Sequence, residues 1–210
     1  MLPRLNQISP VQARYLSFIE ALAKQGFRGE MSQDYATRVI TATDNSIYQV
    51  LPQATVFPRD KKDLQHLAGL AAAEQWQDIV LSPRGGGTGT NGQSLTDGIV
   101  VDLSRHMNNI LEINVEERWA RVEAGVVKDQ LNAALVSHGL FFAPELSTSN
   151  RATIGGMINT DASGQGSVMY GKTRDHVLEL VTILMDGEEL TTAPLEPDME
   201  ASLAASSGII

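Results

Sequence analysis

A glycine-rich segment between two apolar runs is the feature that most restricts how this chain can fold. Within PRGGGTGTNG, residues 83–92, five glycines fall in eight positions, and the flanking runs DIVLS and GIVVDLS are typical of strands. Each glycine costs conformational entropy on folding, and an ordinary turn between strands needs only one or two. The segment therefore favours a loop whose consecutive N–H groups enclose an anion, with a tight solvent loop as the alternative.

The same segment contains G-x-G-x-x-G, the fingerprint of dinucleotide-binding domains, at residues 87–92. In those domains the fingerprint opens a helix, whereas here it leads within a few residues into the apolar run GIVVDLS. A P-loop is excluded too, because no Gly-Lys-Ser/Thr triplet follows the glycines. What remains is a backbone nest around a diphosphate, to which Thr88, Thr90 and Asn91 add side-chain donors.

The composition narrows the class of protein. Of the 210 residues, 42% are hydrophobic and 20% are charged, which is typical of a globular chain. The formal net charge is −9 and no dense basic run is present, so a groove for nucleic acid is not expected. Cysteine is absent, which excludes disulfides, iron–sulfur ligation and a cysteine nucleophile within these residues. The four histidines lack metal-ligand spacing, so no metal site is predicted.

The sequence also bears on location. No apolar run reaches the roughly 18 residues that a membrane-spanning helix needs. The start MLPRLNQISPVQ lacks the charged and apolar regions of a signal peptide. A cytoplasmic protein without a transmembrane segment is therefore expected.

The spacing of apolar residues predicts a helix near the start of the chain. It is expected to be capped by Ser9, to carry Pro10 in its first turn and to end near Gly26. Its predicted buried stripe consists of Leu16, Ile19 and Ala23. The stretch that follows, DYATRVITATDNSIYQ, is interpreted as loop with a short helix.

The next elements form a strand–helix–strand unit. ATVFPRD is a short strand, KKDLQHLAGLAAAEQ is a helix capped by Asp60, and DIVLSPR is the second strand, so the two strands are expected to be parallel with a right-handed crossover. The predicted apolar stripe of the helix consists of Leu64, Leu67, Ala68 and Ala71.

Beyond the glycine segment the pattern changes. GIVVDLS and the two halves of ILEINVEERWARVEAG are strands with short links, which favours antiparallel pairing among them. VVKDQLNAALVSHGL predicts a helix that ends at Gly139. Asp186 and Gly187 are the predicted turn of a final hairpin.

These elements indicate an α+β domain with two lobes, a small parallel βαβ lobe followed by a mainly antiparallel sheet lobe with helices. The predicted divisions are an N-terminal helical segment at residues 1–43, a first lobe that carries the glycine segment at residues 44–105, and a second lobe at residues 106–210.

A second segment, PELSTSNRATIGGMINTDASG, is rich in small hydroxyl and amide donors. Together with PRGGGTGTNG, VEAGV and YGKTRDHV, in this order and spacing, it resembles the FAD-binding domain of the p-cresol methylhydroxylase and vanillyl-alcohol oxidase family. Within that family it is most similar to the amino-terminal part of bacterial D-2-hydroxyglutarate dehydrogenases that carry FAD and iron–sulfur domains in one chain. The resemblance runs from about Asp44 to Gly187 and implies two α/β lobes that grip an extended FAD.

The resemblance also implies which residues contact FAD. Grouped by the part of FAD concerned, they are Pro83, Arg84, Gly85, Gly86, Gly87, Thr88, Gly89 and nearby Asn91 for the diphosphate; Ser147, Thr148, Ser149, Asn150 and Thr153 for the flavin side; Thr160, Asp161, Ala162, Ser163 and Gly164 for the diphosphate and ribityl chain; Gly155 and Gly156 for close approach of the backbone; and Gly171 and Val177 for the rest of the dinucleotide. Relatives that tether the flavin through this loop have a histidine at the position of Thr88, so non-covalent FAD is implied.

Three parts of the family pattern are missing from this sequence. The Gly-Ser-Glu-Gly-Thr strand of the flavin domain has no convincing counterpart in the terminal SSGII. The substrate-binding cap domain and the cysteine-rich iron–sulfur motifs are absent as well. The chain is therefore expected to be a truncated piece of a larger oxidoreductase, and it is expected to self-associate through the surface that a cap would cover.

The implied function is the FAD-binding module of a flavin-dependent oxidoreductase that oxidises a 2-hydroxy acid of the D-2-hydroxyglutarate or D-lactate type. Substrate would be held through the missing cap and electrons would leave through the missing iron–sulfur domain. No catalytic residue is assigned, because Asp102, Asp161 and Asp175 are equally typical of turn or cap carboxylates. The alternative is a non-catalytic nucleotide-binding or interaction fragment that keeps the fold without stable FAD.

Overall fold

A computed structural model describes residues 10–192 of the chain. In this range the helices are α1 (Ala13–Lys24), α2 (Tyr35–Thr41), α3 (Lys61–Ala72), α4 (Lys128–Leu135), α5 (Ile154–Asn159) and α6 (Ser167–Tyr170). The strands are β1 (Glu30–Ser32), β2 (Ala54–Phe57), β3 (Leu81–Arg84), β4 (Ile99–Asp102), β5 (Ile110–Asn114), β6 (Trp119–Val122), β7 (Leu180–Ile183) and β8 (Glu189–Thr192). Short 3-10 helices occupy Glu74–Trp76, Val136–His138 and Thr173–His176.

The first sheet has the strand order β1-β2-β4-β3. β4 runs parallel to both β2 and β3, and β1 pairs antiparallel with β2 at one edge. The parallel orientation of β2 and β3 is thus confirmed, but the predicted antiparallel pairing of GIVVDLS is wrong, because this run forms β4. The 14 residues between Arg84 and Ile99 explain the difference. A connection of about a dozen residues is long enough to return the chain to the start of the preceding strand, as parallel pairing requires.

The first helix begins later than the sequence predicts. α1 starts at Ala13 with Gln12 as its N-cap, so Pro10 precedes the helix, while Ser9 lies outside the described residues. The backbone N–H of Gln12 donates to the side-chain oxygen of Gln53 at 2.9 Å, which ties the start of the helix to the segment before β2. The predicted end near Gly26 is confirmed.

The buried face of α1 also differs from the predicted stripe. Its buried residues are Tyr15, Phe18, Ile19 and Leu22. Leu16 and Ala23 are exposed. The ring of Phe18 packs edge-on against Trp76 with centroids 5.4 Å apart. Aromatic rings bury more area than aliphatic side chains, so the orientation of the helix follows its aromatic residues.

The cap and the stripe of α3 are confirmed. The carboxylate of Asp60 accepts hydrogen bonds from the backbone N–H groups of Lys62 and Asp63 at 3.0 and 3.1 Å. Leu67, Ala68 and Ala71 are buried, and Leu64 packs partly buried at the margin. α1 and α3 cover the first sheet and form the first core with the buried residues of β2 and β4.

The second half of the described chain has its own core, built from Val126, Leu131, Leu135, Ala152, Ile154 and Met157. β5 and β6 pair antiparallel, as predicted. The end of the α4 region at Gly139 (φ +68°) and the β7–β8 hairpin with its turn at Gly187 (φ +88°) are confirmed. The mixture of a parallel sheet, antiparallel hairpins and helices confirms the α+β class.

Candidate functional site

The glycine loop that follows β3 presents a run of unpaired backbone donors. None of the N–H groups of residues 85–90 donates a hydrogen bond to another described residue. Residues 85–89 are nevertheless half-buried. Backbone N–H groups that the protein leaves unpaired are available to water or to a ligand. A run of such donors around a left-handed residue, here Gly87 with φ +60°, is the pattern of an anion-binding nest.

Arg84, the last residue of β3, lies against this loop. A Cβ added to Gly87 would lie 2.8 Å from the Cζ atom of Arg84, so the guanidinium occupies the place of a side chain at Gly87. Burial lowers the pKa of Arg84, and the carboxylates of Asp102 and Asp44 oppose this shift.

Two further glycines of the loop are needed for packing against the second predicted segment. A Cβ on Gly85 would overlap the side chain of Thr153, and a Cβ on Gly86 would overlap the backbone carbonyl of Arg151. Both glycines therefore allow the loop to lie directly on residues 151–153. The structure thus brings the two predicted groups of site residues together at this contact.

The segment 147–153 uses some of its polar side chains internally. The hydroxyl of Thr153 is buried and accepts a hydrogen bond from the N–H of Gly156 as the N-cap of α5. The hydroxyl of Ser149 donates to Asp129 at 3.1 Å. The side chains of Ser147, Thr148 and Asn150 make no hydrogen bonds to the described residues. These three are the ones left to contact a ligand.

Gly155 and Gly156 differ in their surroundings. A Cβ on Gly155 would lie 2.8 Å from the Cβ of Ala124, and the N–H of Gly155 donates to the Ala124 carbonyl at 2.9 Å, so this glycine allows α5 to pack on the VEAGV segment. Gly156 is exposed, and a Cβ there would approach only the Thr153 hydroxyl, at 3.1 Å. Of the two glycines, Gly156 is therefore the one on the exposed side of α5.

A cleft of about 360 Å³ lies between residues 145–147 and residues 163–165. Ser163 and Gly164 line it, and a Cβ on Gly164 would overlap the Glu145 carbonyl. The hydroxyl of Thr160 donates instead to the Gly156 carbonyl at 3.0 Å. Thr160 is therefore the residue that terminates α5, as its C-cap.

Asp161 and Ala162 connect the site to the following 3-10 helix. Asp161 has φ +45°, a left-handed conformation that is uncommon outside glycine. Its carboxylate accepts a hydrogen bond from the N–H of Arg174 at 3.2 Å. The carbonyl of Ala162 accepts a hydrogen bond from the Thr173 hydroxyl at 2.7 Å.

Gly171 and Val177 flank that 3-10 helix. Gly171 has φ +80°, and a Cβ there would lie 2.7 Å from a carboxylate oxygen of Asp175. Val177 is the C-cap residue. Both residues therefore have a structural role at the two ends of this 3-10 helix.

Some residues at the site were missed by the sequence analysis. The N–H of Asn45 donates to the Gly87 carbonyl at 3.2 Å. Glu145 lines the cleft. Arg151, whose carbonyl lies beside Gly86, has an exposed side chain without a hydrogen bond or ion pair to the described residues. Arg151 stands within a segment that the resemblance already marked, whereas no local pattern identifies Asn45 or Glu145.

Across residues 10–192, no group of three or more His, Asp or Glu side chains lies close enough together to hold a metal ion. None of the helices in this range combines the length and the apolar character needed to cross a membrane.

A family model described as an FAD-binding domain matches residues 52–193. The chain belongs to this family. It is 66% identical over 99% of its length to D-2-hydroxyglutarate dehydrogenase of Pseudomonas putida, and 56% identical over 100% of its length to D-2-hydroxyglutarate dehydrogenase of Escherichia coli. The chain covers 21% of the length of each of these two proteins.

A solved structure of alkyldihydroxyacetonephosphate synthase has the same fold. It superimposes with a TM-score of 0.78 at 20% sequence identity, over 94% of this chain and 38% of the synthase. The resemblance to the p-cresol methylhydroxylase and vanillyl-alcohol oxidase family is confirmed, and FAD is the cofactor of the domain. The donor set fits this cofactor, since the unpaired N–H groups of residues 85–90 match the needs of a diphosphate.

Proposed function

We propose that the FAD-binding domain holds the diphosphate of FAD with the N–H groups of residues 85–90. The observation that supports this most is that these groups are unpaired in the described part of the chain although most of them are half-buried. The net charge of −9 makes a local nest the appropriate device, because the protein as a whole repels phosphate. Thr88 stands where tethering relatives have a histidine and the chain has no cysteine, which supports non-covalent binding.

The flavin side is proposed to lie along Ser147, Thr148 and Asn150, whose side chains are unpaired within the described residues. The ribityl chain is proposed to follow the cleft lined by Ser163 and Gly164. The other implied contacts are kept in two groups. The first group consists of residues that make hydrogen bonds or packing contacts inside the protein. They are proposed to position neighbouring residues: Ser149, Thr153, Gly155, Thr160, Asp161, Ala162, Gly171 and Val177. Pro83, Asn91 and Gly156 remain proposed contacts.

We further propose that the domain serves a larger flavin-dependent dehydrogenase that oxidises a 2-hydroxy acid of the D-2-hydroxyglutarate type. The identities of 66% and 56% to two D-2-hydroxyglutarate dehydrogenases support this. Bound FAD supplies a hydride acceptor. The residues of this chain bind and orient it, while a cap domain is proposed to hold the substrate and an iron–sulfur domain to receive the electrons. No catalytic residue is proposed within this chain.

We also propose a cytoplasmic location, which cell fractionation would test.

Self-association is supported by the exposed apolar side chains of Val168, Met169 and Leu178 and is testable by sedimentation. The division between residues 105 and 106 remains a proposal, and residues 10–43 are proposed to belong to the first lobe, because α1 and β1 pack with its sheet.

The test is a titration of the purified 210-residue chain with FAD, followed by flavin fluorescence and by the visible spectrum, with ADP as competitor. The expected result is saturable FAD binding that ADP displaces, since both ligands carry the diphosphate. FAD binding that ADP leaves unchanged would contradict the diphosphate assignment. No binding of either ligand would favour a non-catalytic fragment.

A further inference from the structure

Arg84 uses its guanidinium to join three parts of the chain. Its two terminal nitrogens donate to the carbonyls of Thr43 at 2.7 Å and Thr41 at 3.4 Å, and to the hydroxyl of Ser94 at 3.3 Å. Ser94 in turn donates to the carboxylate of Asp44 at 3.3 Å. The guanidinium therefore links the end of α2, the end of β3 and the far side of the glycine loop.

The same group holds Gly87 from one side. It fills the position of a Cβ at Gly87, and the N–H of Asn45 binds the Gly87 carbonyl at 3.2 Å. Gly87 is the one residue among 85–90 with a positive φ. A nest requires a left-handed residue between its donors, so the contact of Arg84 with Gly87 bears on the geometry of the whole run of N–H groups.

We infer that Arg84 is a positioning residue, which fixes Gly87 in its left-handed conformation and thereby keeps the N–H groups of residues 85–90 arranged for a diphosphate. This inference rests on the proposed function. It reassigns Arg84 from a direct ligand of FAD to a group that acts through Gly87. Three of its five N–H donors are already used by Thr41, Thr43 and Ser94.

The fork of the guanidinium matters more here than its charge. A planar group is needed to lie against Gly87 while reaching two carbonyls and a hydroxyl. Lysine carries the same charge as a compact ammonium on a flexible stem and lacks the rigid fork. Arg84→Lys therefore separates the two contributions.

The experiment compares wild type, Arg84→Lys and Arg84→Met in the full 210-residue chain. The affinity for ADP and FAD is measured by calorimetry. Hydrogen exchange of the Asn45 amide, which donates to the Gly87 carbonyl, is measured without ligand. Both variants are expected to weaken ADP binding by about tenfold and to speed exchange of the Asn45 amide, with exchange in α3 unchanged. Arg14→Lys is the matched control, since Arg14 also forms a fork, on Asp78 and the Gln75 carbonyl. It is expected to change neither quantity.

Two results would overturn the inference. Wild-type affinity in Arg84→Lys would show that charge alone is needed. Weaker ADP binding with unchanged exchange of the Asn45 amide would indicate direct contact of Arg84 with the phosphate. If a substitution of Arg84 prevents folding, Ser94→Ala takes its place in the test. It removes one acceptor without altering Arg84 and is expected to have a smaller effect of the same kind. If the wild-type chain binds neither ADP nor FAD, the proposed function is contradicted. The exchange rates of wild type and the Arg84 variants still decide whether Arg84 orders the loop.

Discussion

The side chain of Thr153 occupies the space where any other residue in place of Gly85 would put its Cβ. Thr153 is 2% exposed and caps α5 through the N–H of Gly156. The loop after β3 and the start of α5 are therefore a single packed unit, although they lie far apart in the sequence. A change at this contact affects the fold as well as the ligand.

Gly85→Ala is expected to lower the free energy of unfolding by about 1–3 kcal/mol, the usual cost of overpacking a buried contact. FAD affinity is expected to fall with it, because the loop is displaced from residues 151–153. The measurements are urea unfolding and FAD titration. The matched control for stability is Gly156→Ala, whose added methyl approaches only the Thr153 hydroxyl at 3.1 Å. It is not a control for FAD affinity, because Gly156 is itself a proposed FAD contact. Equal stability of the two variants would contradict the packing account.

Gly87→Ala is expected to weaken FAD binding more than its effect on stability explains. Gly87 has φ +60° and Gly139 has φ +68°, so alanine is strained at both positions, by about 1–2 kcal/mol. A Cβ on Gly139 meets nothing within 4 Å, whereas a Cβ on Gly87 displaces the guanidinium of Arg84. Both variants should therefore melt at lowered temperatures, Gly87→Ala at the lower of the two, and only Gly87→Ala should raise the Kd for FAD. A normal Kd in Gly87→Ala would count against the nest.

Features set by neighbouring residues were predictable from the sequence. The Asp60 cap, the helix end at Gly139 and the hairpin turn at Gly187 each depend on a few adjacent side chains. The glycine loop was likewise predicted as a backbone nest, and its unpaired N–H groups agree with that interpretation.

Features set by distant contacts were not predictable. The density of glycine was interpreted as access for a ligand, but Gly85 and Gly86 also face Thr153 and Arg151, which no local pattern pairs with them. The position of β4 between β2 and β3 depends on the path of the long loop that joins the end of β3 to the start of β4. The contacts of Arg84 with backbone carbonyls leave no signal in the sequence, because any residue can supply a carbonyl.

The cap of α2 is expected to make stability depend on pH in the acid range. The carboxylate of Asp34 accepts hydrogen bonds from the hydroxyls of Ser32 and Thr37 and from the N–H of Thr37. These bonds, that of Ser32 first, lower the pKa of Asp34 from 3.8 to about 2. A lowered pKa stabilises the folded state above the unfolded-state value, and this contribution is lost as the pH falls through the folded-state value.

The corresponding measurement is the difference in Tm between wild type and Asp34→Asn at a series of pH values. The difference is expected to be constant above about pH 5 and to shrink between about pH 4 and pH 2. Asparagine is also a good N-cap, so the variant should fold. A difference that stays the same down to about pH 2 would contradict the assignment of the shift to these hydrogen bonds.

Asp161 is expected to matter through its backbone conformation more than through its charge. Its φ of +45° is tolerated by aspartate and asparagine better than by alanine. Its ion pairs with Lys172 at 3.8 Å and Arg174 at 3.5 Å involve exposed cations, and such pairs contribute about 0–1 kcal/mol. Asp161→Asn keeps the left-handed preference and an oxygen that accepts the hydrogen bond from the N–H of Arg174. It should therefore unfold at nearly the same urea concentration as wild type and bind FAD equally well.

Asp161→Ala loses both the conformational preference and the acceptor, so it should be less stable by about 1–2 kcal/mol and should bind FAD more weakly. Urea unfolding and FAD titration of the two variants side by side check this order. If Asp161→Asn were as impaired as Asp161→Ala in FAD binding, the carboxylate itself would be required, and Asp161 would contact the cofactor or a cation at the site instead of shaping the turn between α5 and the following 3-10 helix.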